Sequence, residues 1–330
     1  MADYVLVNDI HICDRAPSSC TDTYLDDLFA LLRAVGDIAV QRGARAIIWA
    51  GDVFHFKTPG RTSHRTIIAL IELLRSIPVP TYVVPGNHDM QNDRIDSIDE
   101  TQPLGVVLAS GALHLLDKWM QPPDTDDTGP DDPVYGVPWL QRFTDDTVSA
   151  ALDDYRFNLD VEGWDSHHTL VVTHAPLYPL GQELPYENYP ADRWAAAMDG
   201  HGSVHYGHVH TPHGIHTAGG VTFCNPGALS RGSLHEYNLT RPVQIAVWSS
   251  DTGEFEIVPV PHKPAAEVFR LVEATEAKTA EIEFDRFLDQ IGNTCVGVVS
   301  IEAVMEHVRR LKLEPPVQDT IVELLAEGAT

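Results

Sequence analysis

A chain of 330 residues with 48 acidic and 22 basic side chains carries a formal net charge of −26. That balance excludes loose, long-range attraction to nucleic acid or to anionic membranes, so any phosphate-bearing ligand must be met by cations placed locally. The content of 43% hydrophobic and 21% charged residues is that of an ordinary globular protein, and no apolar run approaches the roughly 18 residues of a membrane span. The opening Met-Ala-Asp lacks the basic and apolar stretches of a secretory signal, and Cys13, Cys20, Cys224 and Cys295 form no Cys-x-x-Cys pair. A reduced, cytoplasmic protein is expected, with its cysteines as small buried thiols rather than ligands.

Residues 4–8 form a short apolar run, as in a strand buried on both faces. Over residues 22–42, Leu25, Leu28, Phe29, Leu32, Val35 and Ile38 recur at helical spacing, with Thr21 as N-cap candidate and Gly43 as stop signal. A strand follows at 46–50, then a helix marked by Ile67, Leu70, Ile71 and Leu74 and closed by Pro78, then a strand at 81–84. Strands alternating with helices predict a parallel sheet with right-handed crossovers. Residues 121–133, rich in Pro and Asp, read as a surface loop. Strand-like runs return at 134–137, 169–173, 203–206, 221–224 and 244–248. The Pro-rich stretch 258–264 reads as a boundary; beyond it come a strand at 267–272, a helix at 277–290, a strand at 295–301 and two short amphipathic helices at 301–311 and 317–325, split by Pro315 and Pro316. The expected organisation is one domain over 1–260 and a small α+β cap domain over 261–330, its last two helices being candidates for docking a partner.

Five blocks carry the chemistry: Asp9 and His11 in Asp-Ile-His; Asp52 and His55 in Gly-Asp-Val-Phe-His; Asn87, His88 and Asp89 in Gly-Asn-His-Asp; His174 in Val-Val-Thr-His-Ala; and His208 and His210 in Gly-His-Val-His. Each lies at or near the end of an apolar strand-like run, and in open α/β sheets the strand C-termini open onto one crevice. Glycine before Asp52, Asn87 and His208 allows the tight turn that aims each side chain inward. The donors Asp9, His11, Asp52, Asn87, His174, His208 and His210 are oxygens and imidazoles without a thiolate. Such a set suits Mn²⁺, Fe or Zn²⁺ and is poor for Ca²⁺. Seven donors exceed the four of a structural zinc but match two ions sharing a bridging Asp52, the recurrent phosphoryl-transfer arrangement.

The series resembles the calcineurin-like metallophosphoesterase superfamily, whose pattern runs D-x-H, G-D-x-x-D, G-N-H-D/E, H, G-H-x-H. One position departs from it: His55 stands where that pattern has Asp. His55, with Phe54 before it and Pro59-Gly60 after it, is similar to the SbcD-type DNA double-strand-break repair nucleases, as is the Pro-Gly segment between Asn225 and Arg231. The resemblance implies a four-layer sandwich of sheets flanked by helices. It implies one metal ion on Asp9, His11, Asp52 and His210 and another on Asp52, Asn87, His174 and His208, with Mn²⁺ foremost. It makes His88 the catalytic histidine, with Asp89 orienting or supporting its imidazole. His55 would touch the phosphate or stand behind the ligands.

Arg15, Lys57, Arg61, Arg65 and Arg231 lie in or just after the site-forming loops, while the acidic excess sits elsewhere, at 124–132, 145–160 and in the C-terminal third. Arg15, Lys57, Arg61 and Arg231, with Asn225, are the candidate substrate contacts. The expected function is a Mn²⁺-dependent DNA exonuclease or endonuclease, working on DNA with an SMC-like ATPase subunit of SbcC type that supplies further affinity. Alternatives are a small-molecule phosphodiesterase or phosphatase with the same metals, and an inactive scaffold. The stripe of Ile67, Leu70, Ile71 and Leu74 offers a homodimer face, or faces the protein's own sheet; no membrane partner is expected.

Overall fold

The computed structural model describes residues 3–58, 60–121, 133–162, 168–179 and 188–271. Its N-terminal part is the expected alternation: β1 (Asp3–Val7), α1 (Tyr24–Arg42), β2 (Ala46–Trp49), α2 (His64–Ser76) and β3 (Thr81–Val83), with the three strands paired in parallel. Ala46, Ile47, Ile48 and Trp49 are all buried, so β2 reads as a continuous apolar run instead of an alternation. α1 stops on Gly43 in the left-handed conformation; its N-cap is Thr23, not Thr21, and Thr23 makes no side-chain cap bond. After α3 (Pro103–Ala109), the two-residue β4 (His114–Leu115) closes that edge of the sheet.

A second sheet begins with β5 (Val134–Val137). α4 (Asp145–Ala151), α5 (Asp153–Glu162), β6 (Leu170–His174), the short pair β7 (Leu177–Tyr178) and β8 (Tyr189–Pro190), α6 (Ala191–Ala197) and β9 (Ser203–Gly207) follow. β10 (Gly214–Ala218) and β11 (Val221–Asn225) complete it in the order β10-β11-β9-β6-β5. After α7 (Glu236–Thr240) the chain returns to the first sheet, where β12 (Gln244–Ser249) and β13 (Phe255–Pro259) add antiparallel strands beside β1. The first sheet therefore runs β13-β12-β1-β2-β3-β4.

Strand periodicity decides which residues meet. Tyr4, Leu6, Ile48, Ala246 and Trp248 of the first sheet pack on Val134, Leu170, Val172 and Cys224 of the second, filling the space between the sheets. From the other face of the second sheet, Val171, Val204, Tyr206 and Phe223 join Val148, Tyr155 and Trp194 from α4, α5 and α6. α1 packs on β1 and β2 and touches α2. The result is the expected four-layer sandwich, helices–sheet–sheet–helices.

Two expectations are adjusted here. Residues 267–271 do not form a strand: α8 (Ala265–Val268) is a short helix, and Phe269 makes an isolated bridge to Cys20. Val268 and Phe269 are neighbours and both buried, which one face of a strand cannot achieve. Within the apolar stripe of α2, Ile67, Leu70 and Leu74 are 5%, 0% and 4% exposed and serve the protein's own core, while Ile71 is half-buried. Most of the 121–133 loop and the elements expected beyond residue 272, the docking helices included, lie outside the described residues. Among the described residues no helix is long and apolar enough to cross a membrane, and Cys13, Cys20 and Cys224 are buried free thiols.

The placement of α2 is testable. Leu70→Ala is expected to cost about 2–5 kcal/mol in denaturant titration, the range for truncating a buried leucine. A stability unchanged from the parent protein would show that the stripe lies outside the core.

Candidate metal centre

Both sheets present the C-terminal ends of parallel strands to one edge, and every block sits there. Asp9 and His11 follow β1, Asp52 follows β2, Asn87 follows β3, His174 ends β6 and His208 follows β9. The loops after β1 and β2 remain zipped beyond their strands: the N–H groups of His11 and Ile12 donate to Asp52 O and Val53 O at 2.9 and 2.8 Å, and His55 N–H donates to Ile12 O at 3.0 Å. Asp9, His11, Asp52 and His208 have φ of 48°, 52°, 51° and 80°. A left-handed backbone costs a non-glycine residue about 1–2 kcal/mol, so four such residues at one place mark a site held in shape by its surroundings. The preceding glycines serve close approach as much as turning. A Cβ at Gly51 would overlap the His174 imidazole, and one at Gly86 would overlap the Asp52 carboxylate.

The side chains converge in two groups around Asp52. Its Oδ1 accepts the His88 N–H at 2.9 Å, and its Oδ2 lies 3.6 Å from His11 Nε2 and 3.4 Å from His174 Nε2. On one side His11 Nε2 and His210 Nε2 are 3.0 Å apart, and Asp9 Oδ1 lies 3.6 Å from His210 Nε2. On the other, His174 Nε2 and His208 Nδ1 lie 3.1 and 3.3 Å from Asn87 Oδ1. His174 Nδ1–H donates to Ala50 O at 2.7 Å, which fixes the ring and turns its Nε2 toward the oxygens of Asp52 and Asn87. These are mostly acceptors pointed at one another, and a cation is what such a set fits.

The electrostatics agree. Asp9, Asp52 and Asp89 are buried, and among the described residues none of them pairs with a lysine or arginine. Burial, relieved by His174 and worsened by Asp52, pushes Asp9 up to about 7. Burial also works against the charge of Asp52, but His174 and His11 hold its carboxyl well below the usual range. Burial drives His208 and His210 down to about 3 and 4, leaving neutral imidazoles fit to be ligands. His174 goes the other way: burial opposes its charge, yet Asp52 raises it to about 9. The carboxylates draw positive charge to this spot.

His88 lies beside these groups, its ring 5.1 Å from that of His11. Its Nδ1–H donates to His55 O at 2.7 Å, which fixes the ring and leaves Nε2 free. Asp89 does not orient His88. Its Oδ1 accepts the N–H groups of Val53 and Phe54 at 3.0 and 3.4 Å, and its Oδ2 accepts that of Gly86 at 3.0 Å, so this carboxylate pins the Asp52 loop to the Asn87 loop. His55 is exposed, its ring 5.6 Å from those of His11 and His88.

A cavity of about 1290 Å³ opens over the site, lined by His11, Asp52, His55, Asn87, His88, His208 and His210 and also by Arg15 and Arg61. The other three candidate substrate contacts are engaged elsewhere. Lys57 Nζ donates to Asn87 O at 3.2 Å and pairs with Asp93 at 3.4 Å, so it supports a ligand loop. Asn225 is fully buried, donating to Val209 O at 2.9 Å and accepting the Gly227 N–H at 2.6 Å. Arg231 is 6% exposed and donates to Lys263 O at 2.6 Å. A short Pro-Gly segment places Asn225 and Arg231 near the site in sequence but does not aim them at it.

Other residues carry no such signal in a strand-end block. Trp139 packs 4.7 Å from the His208 ring; its place just after β5, at the same sheet edge as the blocks, is the available clue. Asn8 donates to Tyr206 O at 2.8 Å and meets His205 Nε2 at 2.6 Å, tying the end of β1 to β9. Arg270 also lines the cavity, but it pairs with Asp22 at 2.5 Å.

Removing the Asp89 carboxylate leaves buried donors unmet, so Asp89→Ala is expected to destabilise the fold by about 1–3 kcal/mol. His88→Ala, lacking such a role, should stay within about 0.5 kcal/mol. Chemical denaturation of both measures the contrast, and equal midpoints would return Asp89 to the side of His88.

Comparisons with known proteins follow the same lines. The DNA double-strand break repair protein Mre11 of Halobacterium salinarum is 27% identical over 246 residues, covering 70% of this chain and 56% of that protein. Mre11 of Archaeoglobus fulgidus is 24% identical over 86 residues, covering 26% of this chain and 19% of its own length. The chain thus spans little more than half the length of the first relative. Among solved structures, TT1561 of Thermus thermophilus covers 79% of this chain and 99% of its own, with 14% identity and a TM-score of 0.48, a likeness that carries no argument. The calcineurin-like phosphoesterase family model matches residues 3–212, well over half of the chain. This protein belongs to that family, whose members are metal-dependent phosphoesterases.

Proposed function

We propose that this chain is a two-metal phosphodiester hydrolase acting on DNA, of SbcD type. The observation that carries the choice of substrate is the pair Arg15 and Arg61. Both line the cavity over the site, and among the described residues neither has a carboxylate partner. In a chain of net charge −26, free cations at that place favour a polyanion over a neutral or singly charged ester. The names of the Mre11 relatives, DNA double-strand break repair proteins, point the same way.

In this reading Asp9, His11, Asp52 and His210 would hold one divalent ion and Asp52, Asn87, His174 and His208 the other; the donors suit Mn²⁺, Fe or Zn²⁺, and the resemblance to SbcD-type nucleases puts Mn²⁺ first. The ions supply Lewis acidity for phosphoryl transfer. Asp52, whose Oδ2 lies 3.6 Å from His11 Nε2 and 3.4 Å from His174 Nε2, would be the carboxylate common to both. His88, held by the His55 carbonyl with Nε2 free, gives a proton to the departing alkoxide or a hydrogen bond to the phosphoryl oxygens. His55 stands on the cavity wall to meet the phosphate, and Arg15 and Arg61 hold neighbouring phosphates. An SMC-like ATPase subunit would add the DNA affinity that so acidic a chain lacks.

Asp52→Asn turns the shared carboxylate into a neutral amide and is expected to lower metal affinity at both positions in calorimetric titration with Mn²⁺; full occupancy would show that Asp52 is not shared. His88→Ala removes no ligand, so it should keep its ions while turnover falls by about 10²-fold or more. Loss of metal as well would make His88 a ligand. The substrate is tested with labelled duplex and single-stranded DNA, with Mn²⁺ and with chelator. Metal-dependent cleavage is expected, and turnover of small phosphodiesters without any cleavage of DNA would favour the small-molecule reading.

A further inference from the structure

The cavity wall that carries the two free arginines also carries a carboxylate, Asp14. A free negative charge there would repel any phosphate brought to the site. Asp14 is not free. Its Oδ2 accepts the Ser63 N–H at 2.5 Å, and its Oδ1 accepts the Ser63 hydroxyl at 3.0 Å and the Thr66 hydroxyl. Ser63 is the N-cap of α2, and its hydroxyl in turn accepts the Thr66 N–H. The end of a helix that exposes N–H groups is where an anion is held most favourably, so the Asp14 charge is spent on α2 and not on the cavity.

The consequence lies in what these bonds join. Asp14 precedes Arg15 in the loop after β1, and Ser63 follows Arg61 by two residues in the loop after β2. One side chain thus braces the two loops that bear the free cations. Each arginine has a further local restraint. The Cys13 thiol donates to Arg15 O at 3.2 Å, and the Arg61 guanidinium lies over the Phe56 ring at 4.5 Å.

We propose that Asp14 is a positioning residue that sets the spacing of Arg15 and Arg61, making them a two-pronged clamp on the sugar–phosphate backbone of a nucleic acid strand beside the metal centre. The clamp rests on the phosphodiesterase reading above and narrows its substrate to one with consecutive phosphates.

The test is steady-state hydrolysis, with Mn²⁺, of labelled duplex DNA and of bis(p-nitrophenyl) phosphate, which has a single phosphate. The proteins compared are the parent, Asp14→Ala, Asp14→Asn, the pair Arg15→Gln/Arg61→Gln, and that pair combined with Asp14→Ala. For Asp14→Ala the ratio of kcat/KM on DNA to kcat/KM on the small ester should fall about tenfold, through KM. The slope of log KM against log salt should flatten by about 0.9 for each phosphate that an arginine no longer neutralises. Asp14→Asn retains an acceptor oxygen and should recover part of the loss. In the double-arginine background Asp14→Ala should change the ratio no further. An unchanged ratio in the single variant, or an equal fall in the double-arginine background, overturns the brace while leaving the nuclease reading intact. A parent protein that hydrolyses the small ester but not DNA overturns both.

Discussion

Three carboxylates, Asp9, Asp52 and Asp89, are buried at one edge of the fold without a lysine or arginine among the described residues to meet them. Burying an ion costs several kcal/mol unless it is paired or fully hydrogen-bonded, and the architecture answers that cost in two ways. Asp89 is satisfied by three backbone N–H groups and so becomes a rivet between loops. Asp9 and Asp52 receive only the N–H groups of His208 and His88, and their remaining capacity faces imidazole nitrogens. The strained backbone of Asp9, His11, Asp52 and His208, and the glycines that leave no room for a side chain, all hold this arrangement in place. Such strain and charge persist together only where a packed scaffold over-determines the geometry, and the two-sheet core supplies it.

The distribution of charge is consistent with a polyanionic substrate despite the net −26. Part of the acidic excess is structural: Asp145 and Asp146 open α4, and Asp153 and Asp154 open α5, where carboxylates favour the helix N-terminus. Asp14 does the same for α2. Other basic side chains near the site are committed, Lys57 to Asp93 and Arg231 to Lys263 O. Among the described residues this leaves Arg15 and Arg61 as cations on the cavity wall without a carboxylate partner.

The blocks were legible because each pairs an apolar strand with a turn, and strand ends in parallel sheets converge by topology alone. The helix α1 and the first three strands were legible for the same reason, as were the strands that return to the sheets at residues 134, 169, 203, 221 and 244. Direction was not legible. Asp89 sits beside His88 in the chain, yet successive side chains in a tight turn point apart, and the carboxylate reached the neighbouring loop instead. Asn225 and Arg231 lie near the site in sequence and turn into the core. The α2 stripe shows apolar spacing, which says that a face is covered but not by what. β10 and β13 were missed because they are edge strands without a continuous buried apolar run: Ile215 of β10 is 46% exposed, and β13 is interrupted by Glu256 and ends at Pro259 in the Pro-rich stretch read as a boundary.

The donors around Asp52 are proposed to hold two ions that share its carboxylate. Anomalous diffraction from crystals grown with Mn²⁺ tests it directly, since it locates metal without reference to activity. Two peaks are predicted, about 3.5–4 Å apart as in other two-metal sites, one beside Asp9, His11 and His210 and one beside Asn87, His174 and His208, with Asp52 touching both. A single peak, or metal bound away from these residues, would rule out a shared two-ion centre.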